Sequence, residues 1–351
     1  MEVMLYPYDR ESYPIVIYHD MIKELEIKSL VSPRGWGLDG KIIINESQSY
    51  VLKTDYEREL LACEGVLFVN SANKIYPDDF VLKKIQFANS QGKKIYYARN
   101  DEQEISWLRE NAKNTVFFNT IDEGKNEDVS SNKLFDIQTP VIGVGGMGEE
   151  TDKFFIQLGI RSYLDKKGYK VTQIGSRSYC GLFDFHSFPQ YMLDIHRETD
   201  KIIFLNHYLK KLELKEKPDV IVLGIPGGIM AINEKWHNDF GCLAYKVAQA
   251  VPIDYFIVST YFEEYAEAFY RKLSERIFYR YGFKTDAFHI ANRRIDYVEG
   301  ADDSALKFIS VDKEFVRSTI CKYKSDNILN LQKIDDFHFL EKIIFDELPR
   351  G

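Results

Sequence analysis

Short β-rich runs alternate with helical patterns over the first 120 residues. Residues 3–6 and 27–31 read as strands, with a helical pattern over 13–25 between them. A glycine-rich turn, Ser32-Pro33-Arg34-Gly35-Trp36-Gly37, follows the second strand. Residues 55–63 read as a helix and 65–69 as an apolar strand. Pro77 with Asp78 and Asp79 is a helix start, because proline fits the first turn and acids suit the positive end of the helix dipole. Gln91-Gly92 is the matching stop. Strand 94–98, helix 105–111 and strand 116–118 complete the set. Strands alternating with helices predict parallel β-α units, hence a Rossmann-like α/β domain over residues 1–120.

Residues 121–137 are polar and charged, show no period, and read as a linker. A second α/β unit follows over 138–351. Its strand 141–144 leads into Gly143-Val144-Gly145-Gly146-Met147-Gly148, then a helix over 149–167 and a strand over 171–174. A helix over 190–212 comes next, then the strongly apolar strand 219–224, bounded by Pro218 and Pro226-Gly227-Gly228. Helix 242–250 and strand 255–259 follow. Phe262, Tyr265, Ala266, Phe269, Leu273 and Ile277 then repeat at helical spacing, an aromatic stripe that faces either a core or a second copy in a homodimer. Strands near 287–290 and 306–311 form a C-terminal extension. The expected fold class is α/β, with two doubly wound, mostly parallel sheet domains: a Rossmann-like one followed by a P-loop-NTPase-like one.

Length and charge narrow the functional classes. A chain of 351 residues with 45% hydrophobic residues has enough apolar content for two domains and excludes disorder over most of its length. The net charge of -8 argues against nucleic acid as a partner. No apolar run approaches the ~20 residues needed to cross a bilayer, and an acid stands at position 2. Neither a membrane span nor a signal peptide is expected, and the expected compartment is cytoplasmic. Cys63, Cys180, Cys242 and Cys321 are scattered without a C-x-x-C pair, which predicts reduced thiols and no zinc site.

The glycine run after strand 141–144 is the most informative local feature. As G-x-G-x-x-G it uses Gly143, Gly145 and Gly148, a dinucleotide fingerprint that lets backbone approach a pyrophosphate. The acid expected after the next strand is missing; Gly175-Ser176-Arg177-Ser178 stands there, and Arg177 could accept a 2′-phosphate. As G-x-x-x-x-G-K-[ST] it uses Gly143 and Gly148, but Glu149 and Glu150 replace the Lys and the hydroxyl. They place negative charge where a phosphate would dock. Thr151 and Lys153 lie just downstream as substitutes. Strand 219–224 ends in Gly-Ile-Pro-Gly-Gly without a metal-binding Asp. The loop therefore reads as a degenerate Walker A, with Gly143, Gly145, Gly146, Gly148, Glu149, Glu150, Thr151, Lys153, Arg177, Gly227 and Gly228 as candidate ligand-binding residues. Helix capping by the two acids, or a plain strand-to-helix turn, is the simpler alternative.

Three blocks resemble a family of clostridial peptide maturation system proteins. They are Leu5-Tyr6-Pro7-Tyr8-Asp9 together with the Ser32–Gly37 turn, the loop from Gly143 to Glu150, and the run from Ser176 to Pro189. The resemblance implies an accessory role in processing a ribosomally made peptide, beside other modifying enzymes and without an assigned reaction. Its implied partners are a precursor peptide or a partner modification enzyme. The two-domain plan also resembles a wider group in which a Rossmann-like domain precedes a P-loop domain; that group keeps the loop Lys where this chain has Glu149.

Cys180, Asp184 and His186 offer a thiol, a carboxylate and an imidazole within seven residues. Their spacing matches no strong metal signature, and the flanking Leu182, Phe183, Phe185 and Phe188 suit a packed loop. His237 follows the Gly227-Gly228 turn and could overlook the same crevice. Cys180, Asp184, His186 and His237 are thus the candidate catalytic residues, and no metal is expected. The expected crevice gathers residues 143–150, 176–186 and 224–228 at the strand ends of the second domain. Three functions stay open: an accessory maturation protein with a degenerate nucleotide loop, an ATP-dependent ligase or transferase using Lys153, and a dinucleotide-binding oxidoreductase. A nucleotide is the one cofactor these patterns suggest.

Overall fold

The computed structural model describes residues 1–45, 48–71, 79–118, 133–296, 306–332 and 334–341. The chain divides into two compact units, Met1–Ile121 with Arg177–Ser187, and Asp122–Ser176 with Phe188–Gly351. Residues 177–187, expected in the second domain, group with the first. Pro77, Asp78 and residues 121–132 of the expected linker lie outside the described residues.

The first unit contains β1 (Glu2–Tyr6), β2 (Glu26–Leu30), the hairpin strands β3 (Ile42–Ile44) and β4 (Ser49–Val51), then β5 (Gly65–Val69), β6 (Lys94–Ala98) and β7 (Thr115–Phe117). Five of them form a parallel sheet in the order β2-β1-β5-β6-β7. Its helices are α1 (Tyr13–Ile17), α2 (Tyr56–Leu61), α3 (Phe80–Ser90) and α4 (Glu102–Asn111). Alternate strand residues Met4, Tyr6, Val66, Phe68, Ile95 and Tyr97 face Leu60, Val81, Ile85, Ile105 and Leu108 of α2, α3 and α4. All five β5 residues are buried, as a central parallel strand covered on both faces requires. Asp55 and Asp101 set the helix starts: their carboxylates accept from Arg58 N and Glu104 N, each such cap contributing about 1 kcal/mol.

In the second unit the chain runs through β8 (Val141–Gly146), α5 (Lys153–Lys166) and β9 (Val171–Gly175). After the segment that carries β10 (His186–Ser187), it continues through α6 (Glu198–Glu216), β11 (Val220–Gly224), α7 (Cys242–Ala250), β12 (Tyr255–Thr260), α8 (Glu267–Tyr281) and β13 (Ala287–Ile290). An antiparallel pair, β14 (Arg293–Asp296) with β15 (Lys307–Ser310), then α9 (Lys313–Ile320) and β16 (Ile328–Leu329) complete it. The parallel strands lie in the order β9-β11-β8-β12-β13-β16. Ile142, Val144, Val220, Val222 and Ile257 pack on Ile156, Ile160 and Leu164 of α5. Their alternates Val141, Ile221, Leu223, Phe256 and Val258 pack on α6, α7 and α8 through Leu205, Val247, Tyr270, Leu273 and Ile277. Of the expected stripe, Leu273 and Ile277 on α8 and Phe262 before it are buried in this core, Tyr265 and Phe269 are partly buried against it, and Ala266 is exposed.

Several helix boundaries depart from the pattern-based expectation. Helix α5 starts at Lys153 instead of Glu149, α6 at Glu198 instead of Gln190, and α8 at Glu267. The start of α6 carries Glu198 and Asp200 in its first turn, which favours the dipole better than the apolar run before it. Residues 133–139, expected at the edge of a linker, are fixed along α6. Gln138 N and Thr139 N both donate to Glu213 Oε1 at 2.7 Å, and Asn206 Oδ1 accepts from Phe135 N at 2.7 Å. Among the described residues, no helix is long and apolar enough to cross a membrane.

The chain leaves β8 for β9 on one side, returns to β11, then crosses to β12 on the other side of β8. The order reverses at β8. Open α/β sheets bind ligands at that place, beyond the carboxyl ends of the strands.

Candidate ligand-binding site

Gly143 and Gly145 remain inside β8, which stays extended through Gly146. A Cβ on Gly145 would stand 2.7 Å from Phe256 Cζ and 2.9 Å from Ile229 Cγ2. These two glycines let an aromatic ring close on the strand, a packing duty, and they make no tight turn. The turn itself is Met147–Asp152. Glu150 and Asp152 take left-handed backbone there, with φ of 54° and 61°. Non-glycine residues in that region are uncommon, and acidic ones are tolerated when held from outside.

They are held from outside. Glu150 Oε2 lies 3.6 Å from Arg293 Nε, and Asp152 Oδ2 lies 3.7 Å from His289 Nε2. His289 is fully buried, and its Nδ1 accepts from Leu331 N at 3.0 Å, so Nε2 carries the ring proton. Tyr261 OH donates to Glu149 O at 2.7 Å, Met147 N donates to Ser259 O at 2.8 Å, and Ser259 Oγ donates to Thr151 O. Strands β12 to β14 thereby brace the turn. Glu149 points its side chain to solvent, and no acid occupies the first turn of α5. The expected capping of α5 by Glu149 and Glu150 does not occur, because the chain turns left-handed before the helix begins.

Lys153 supplies the cation that position 149 lacks. It opens α5, is 8% exposed, and its Nζ donates to Gly148 O at 2.5 Å and Gly227 O at 2.7 Å. Thr151 Oγ1 donates to the same Gly148 O at 3.0 Å. The N–H groups of Gly148, Glu149 and Thr151 donate to nothing among the described residues. Open N–H groups beside left-handed residues are the kind of backbone that can cradle an anion, and here they lie beside the Lys153 ammonium and before the N-terminus of a 14-residue helix.

The second wall comes from the turn after β11. Ile229 N donates to Gly146 O at 2.9 Å. Asn238 Nδ2 donates to Met147 O at 2.6 Å and Met230 O at 3.1 Å, clamping the two turns together. Gly228 is required for this approach: a Cβ there would stand 1.4 Å from Asn238 Nδ2. Asn238, Asp239 and Phe240 have φ of 50°, 48° and 53°, and Gly241 follows at 70°. Four successive left-handed residues cost about 1–2 kcal/mol for each non-glycine member. His237 is exposed and stacks on Phe240 with centroids 4.8 Å apart.

No carboxylate ends β11, and no group of three or more His, Cys, Asp or Glu that could hold a metal exists among the described residues. Gln157, one turn beyond Lys153 on α5, and Gln173 on β9 are fully buried, and their amides find no partner among the described residues. The Gln157 amide fills the space that a Cβ on Gly224 would take.

Of the expected segments 143–150, 176–186 and 224–228, the first and third are joined by hydrogen bonds such as Ile229 N to Gly146 O. Arg177, Cys180, Asp184 and His186 belong to the first unit instead. Arg177 pairs with Glu11, and Tyr179 OH donates to Glu11 O at 2.7 Å. Ser178 Oγ donates to Ala98 O at 2.7 Å and accepts from Asn70 Nδ2 at 2.9 Å. Asp184 pairs with Lys23 at 2.9 Å, and Cys180 is fully buried. These bonds tie the segment to the strand ends of the first sheet. Sequence reasoning missed Asn238, Ser259, Tyr261, His289 and Arg293, which carry no motif and reach the turn only through the strand order.

No protein-family model matches the chain, and no curated protein matches it. Among solved structures, a DUF1611 family protein from Anabaena variabilis is similar over 91% of this chain and 91% of its own, with a TM-score of 0.58 at 9% identity. A GTPase in apo form from Pyrococcus abyssi aligns with 61% of this chain and 100% of its own, with a TM-score of 0.31 at 13% identity. The second value is too low to carry an argument. The first shows a shared two-unit α/β fold along nearly the whole chain, and at that identity it speaks for fold alone.

Proposed function

We propose that this protein binds a phosphorylated small molecule, a nucleotide first of all, in the turn 147–153 and does not hydrolyse it by metal-assisted chemistry of its own. One observation carries the reading: the Lys153 ammonium bridges Gly148 O and Gly227 O beside the open N–H groups of Gly148, Glu149 and Thr151. A phosphate oxygen entering this nest meets backbone donors and a fixed cation at once. Arg293 offsets the charge of Glu150, which leaves Glu149 as the exposed acid at the mouth.

Slow or absent hydrolysis follows from what the site does not offer. A Lys–hydroxyl pair directly after Gly148 and a carboxylate at the end of β11 hold magnesium and the terminal phosphates in P-loop enzymes. Glu149, Glu150 and Gly224 stand at those places. Binding without turnover suits an accessory protein that signals to, or delivers a ligand to, a partner enzyme. The resemblance of the 5–9 and 32–37, 143–150 and 176–189 blocks to peptide maturation proteins supports a setting in the processing of a ribosomally made peptide, with the precursor or its modifying enzyme as partner. Mass spectrometry of ligand released from the purified chain tests the reading. A phosphorylated compound is expected near one equivalent. Recovery of only unphosphorylated ligands, together with no nucleotide uptake on titration, would overturn it.

A further inference from the structure

The first unit offers a second site, independent of the turn at 147–153. The chain passes from β1 to β2 on one side, then crosses to β5 on the other, so the strand order reverses at β1. A cavity of about 410 Å³ opens beyond the end of that strand, within the size range of small-molecule sites. Tyr6 closes β1 and lines the cavity with Tyr56 of α2 and Phe80 of α3. Tyr6 and Tyr56 pack edge to face with centroids 4.7 Å apart, and Tyr56 OH donates to Lys84 O at 2.9 Å, so these walls are fixed.

Three charged groups line the same cavity without neutralising one another. Arg34 follows β2 and Glu57 stands in the first turn of α2; both are exposed, and neither has an ion-pair or hydrogen-bond partner among the described residues. Lys84 Nζ sits 4.8 Å over the Tyr56 ring. Asp55 also lines the cavity, but its carboxylate caps α2 by accepting from Arg58 N at 3.2 Å. Unpaired positive and negative groups facing one aromatic-walled space complement a ligand that carries both signs itself. A carboxylate suits the planar fork of Arg34, with Lys84 as a second cation. An ammonium suits the Glu57 carboxylate. We propose that this cavity binds a zwitterion, either a free α-amino acid or a short peptide with both ends unblocked.

Calorimetric titration of the full chain tests this with free amino acids, di- and tripeptides, and their N-acetylated and C-amidated forms. At least one unblocked ligand is expected to bind with Kd below about 1 mM. Blocking either end should weaken it at least about tenfold. Arg34→Ala should lower affinity for every carboxylate ligand by about the same factor. Glu57→Gln should remove the preference for a free amine. Both side chains are exposed, and unchanged circular dichroism confirms folding. Tighter binding of amino acids than of tripeptides names the former as the source, and the reverse order names peptides. Absence of binding by all unblocked ligands, equal binding of blocked ones, or wild-type affinities in both variants would overturn the proposal.

Discussion

Asn238 is one of two side chains, with Lys153, that join the two turns of the loop site, and replacing it separates two energies that coincide there. Asn238→Ala removes hydrogen bonds of 2.6 Å to Met147 O and 3.1 Å to Met230 O. Neutral hydrogen bonds contribute about 0.5–1.5 kcal/mol each. Alanine must also hold φ near 50°, where a Cβ costs about 1–2 kcal/mol and where asparagine is more at ease. The alanine variant should therefore lose roughly 2–5 kcal/mol. Asn238→Gly loses the same bonds without the backbone penalty and should lose roughly 1–3 kcal/mol. Urea denaturation measures both, and in a unit of this size each kcal/mol moves the Tm by about 2–4 °C. Gly228 supplies an internal control, since a Cβ there would meet Asn238 Nδ2 at 1.4 Å and Met147 O at 2.8 Å. Gly228→Ala should be strongly destabilising alone and milder on the Asn238→Gly background, with a coupling above about 1 kcal/mol in the double-mutant cycle. An Asn238→Gly variant as stable as the wild type, or additivity of the cycle, would refute the clamp, and equal stability of the alanine and glycine variants would refute the backbone penalty.

Three further outcomes follow. Gly145→Ala should cost about 1–3 kcal/mol by overpacking against Phe256 and Ile229, and Phe256→Leu should restore part of it; a neutral Gly145→Ala in the same denaturation assay would contradict the packing role. Burial pushes the Glu213 carboxyl up, yet Lys210 and the N–H groups of Thr139 and Gln138 hold it below its usual value on balance. Its contribution is present above the unfolded carboxyl pKa of about 4.3 and lost as pH falls through the depressed value, so Glu213→Gln should flatten the acid limb of a stability–pH curve, and an unchanged limb would count against this. Gln157→Leu should raise stability by about 1–3 kcal/mol, because it removes a buried amide without partners; a loss of stability would show that the amide is satisfied in solution.

The alternation of β-rich runs with amphipathic stretches already specifies the parallel β-α units, because burial on both sheet faces forces continuous apolar strands such as 65–69 and 220–224. The place of the turn after β8 was legible for the same reason: a strand running into glycines and then a helix is a local pattern. Its inner geometry was not. Glu149 and Glu150 look like first-turn acids, yet the chain spends 149–152 in a braced turn with left-handed residues at 150 and 152, and the bracing groups Tyr261, His289 and Arg293 lie more than 100 residues away in the chain. The partition of 177–187 was equally hidden, because a polar loop reads the same whichever sheet edge accepts its hydrogen bonds. Asn238 gave no signal, since Asn and Asp tolerate left-handed backbone singly but a run that continues through Phe240 follows no propensity.

Equilibrium titration of ATP and ADP into the wild-type chain and Lys153→Met, with and without magnesium, tests the central claim most directly. Nucleotide should bind the wild type without requiring magnesium. Lys153→Met should weaken it at least about tenfold while circular dichroism shows the variant folded, because a charge-assisted contact to phosphate is lost. Glu149→Gln should tighten it, since the exposed acid at the mouth repels the ligand. A wild-type chain that binds no phosphorylated ligand, or a folded Lys153→Met variant that binds as well as the wild type, would contradict the account.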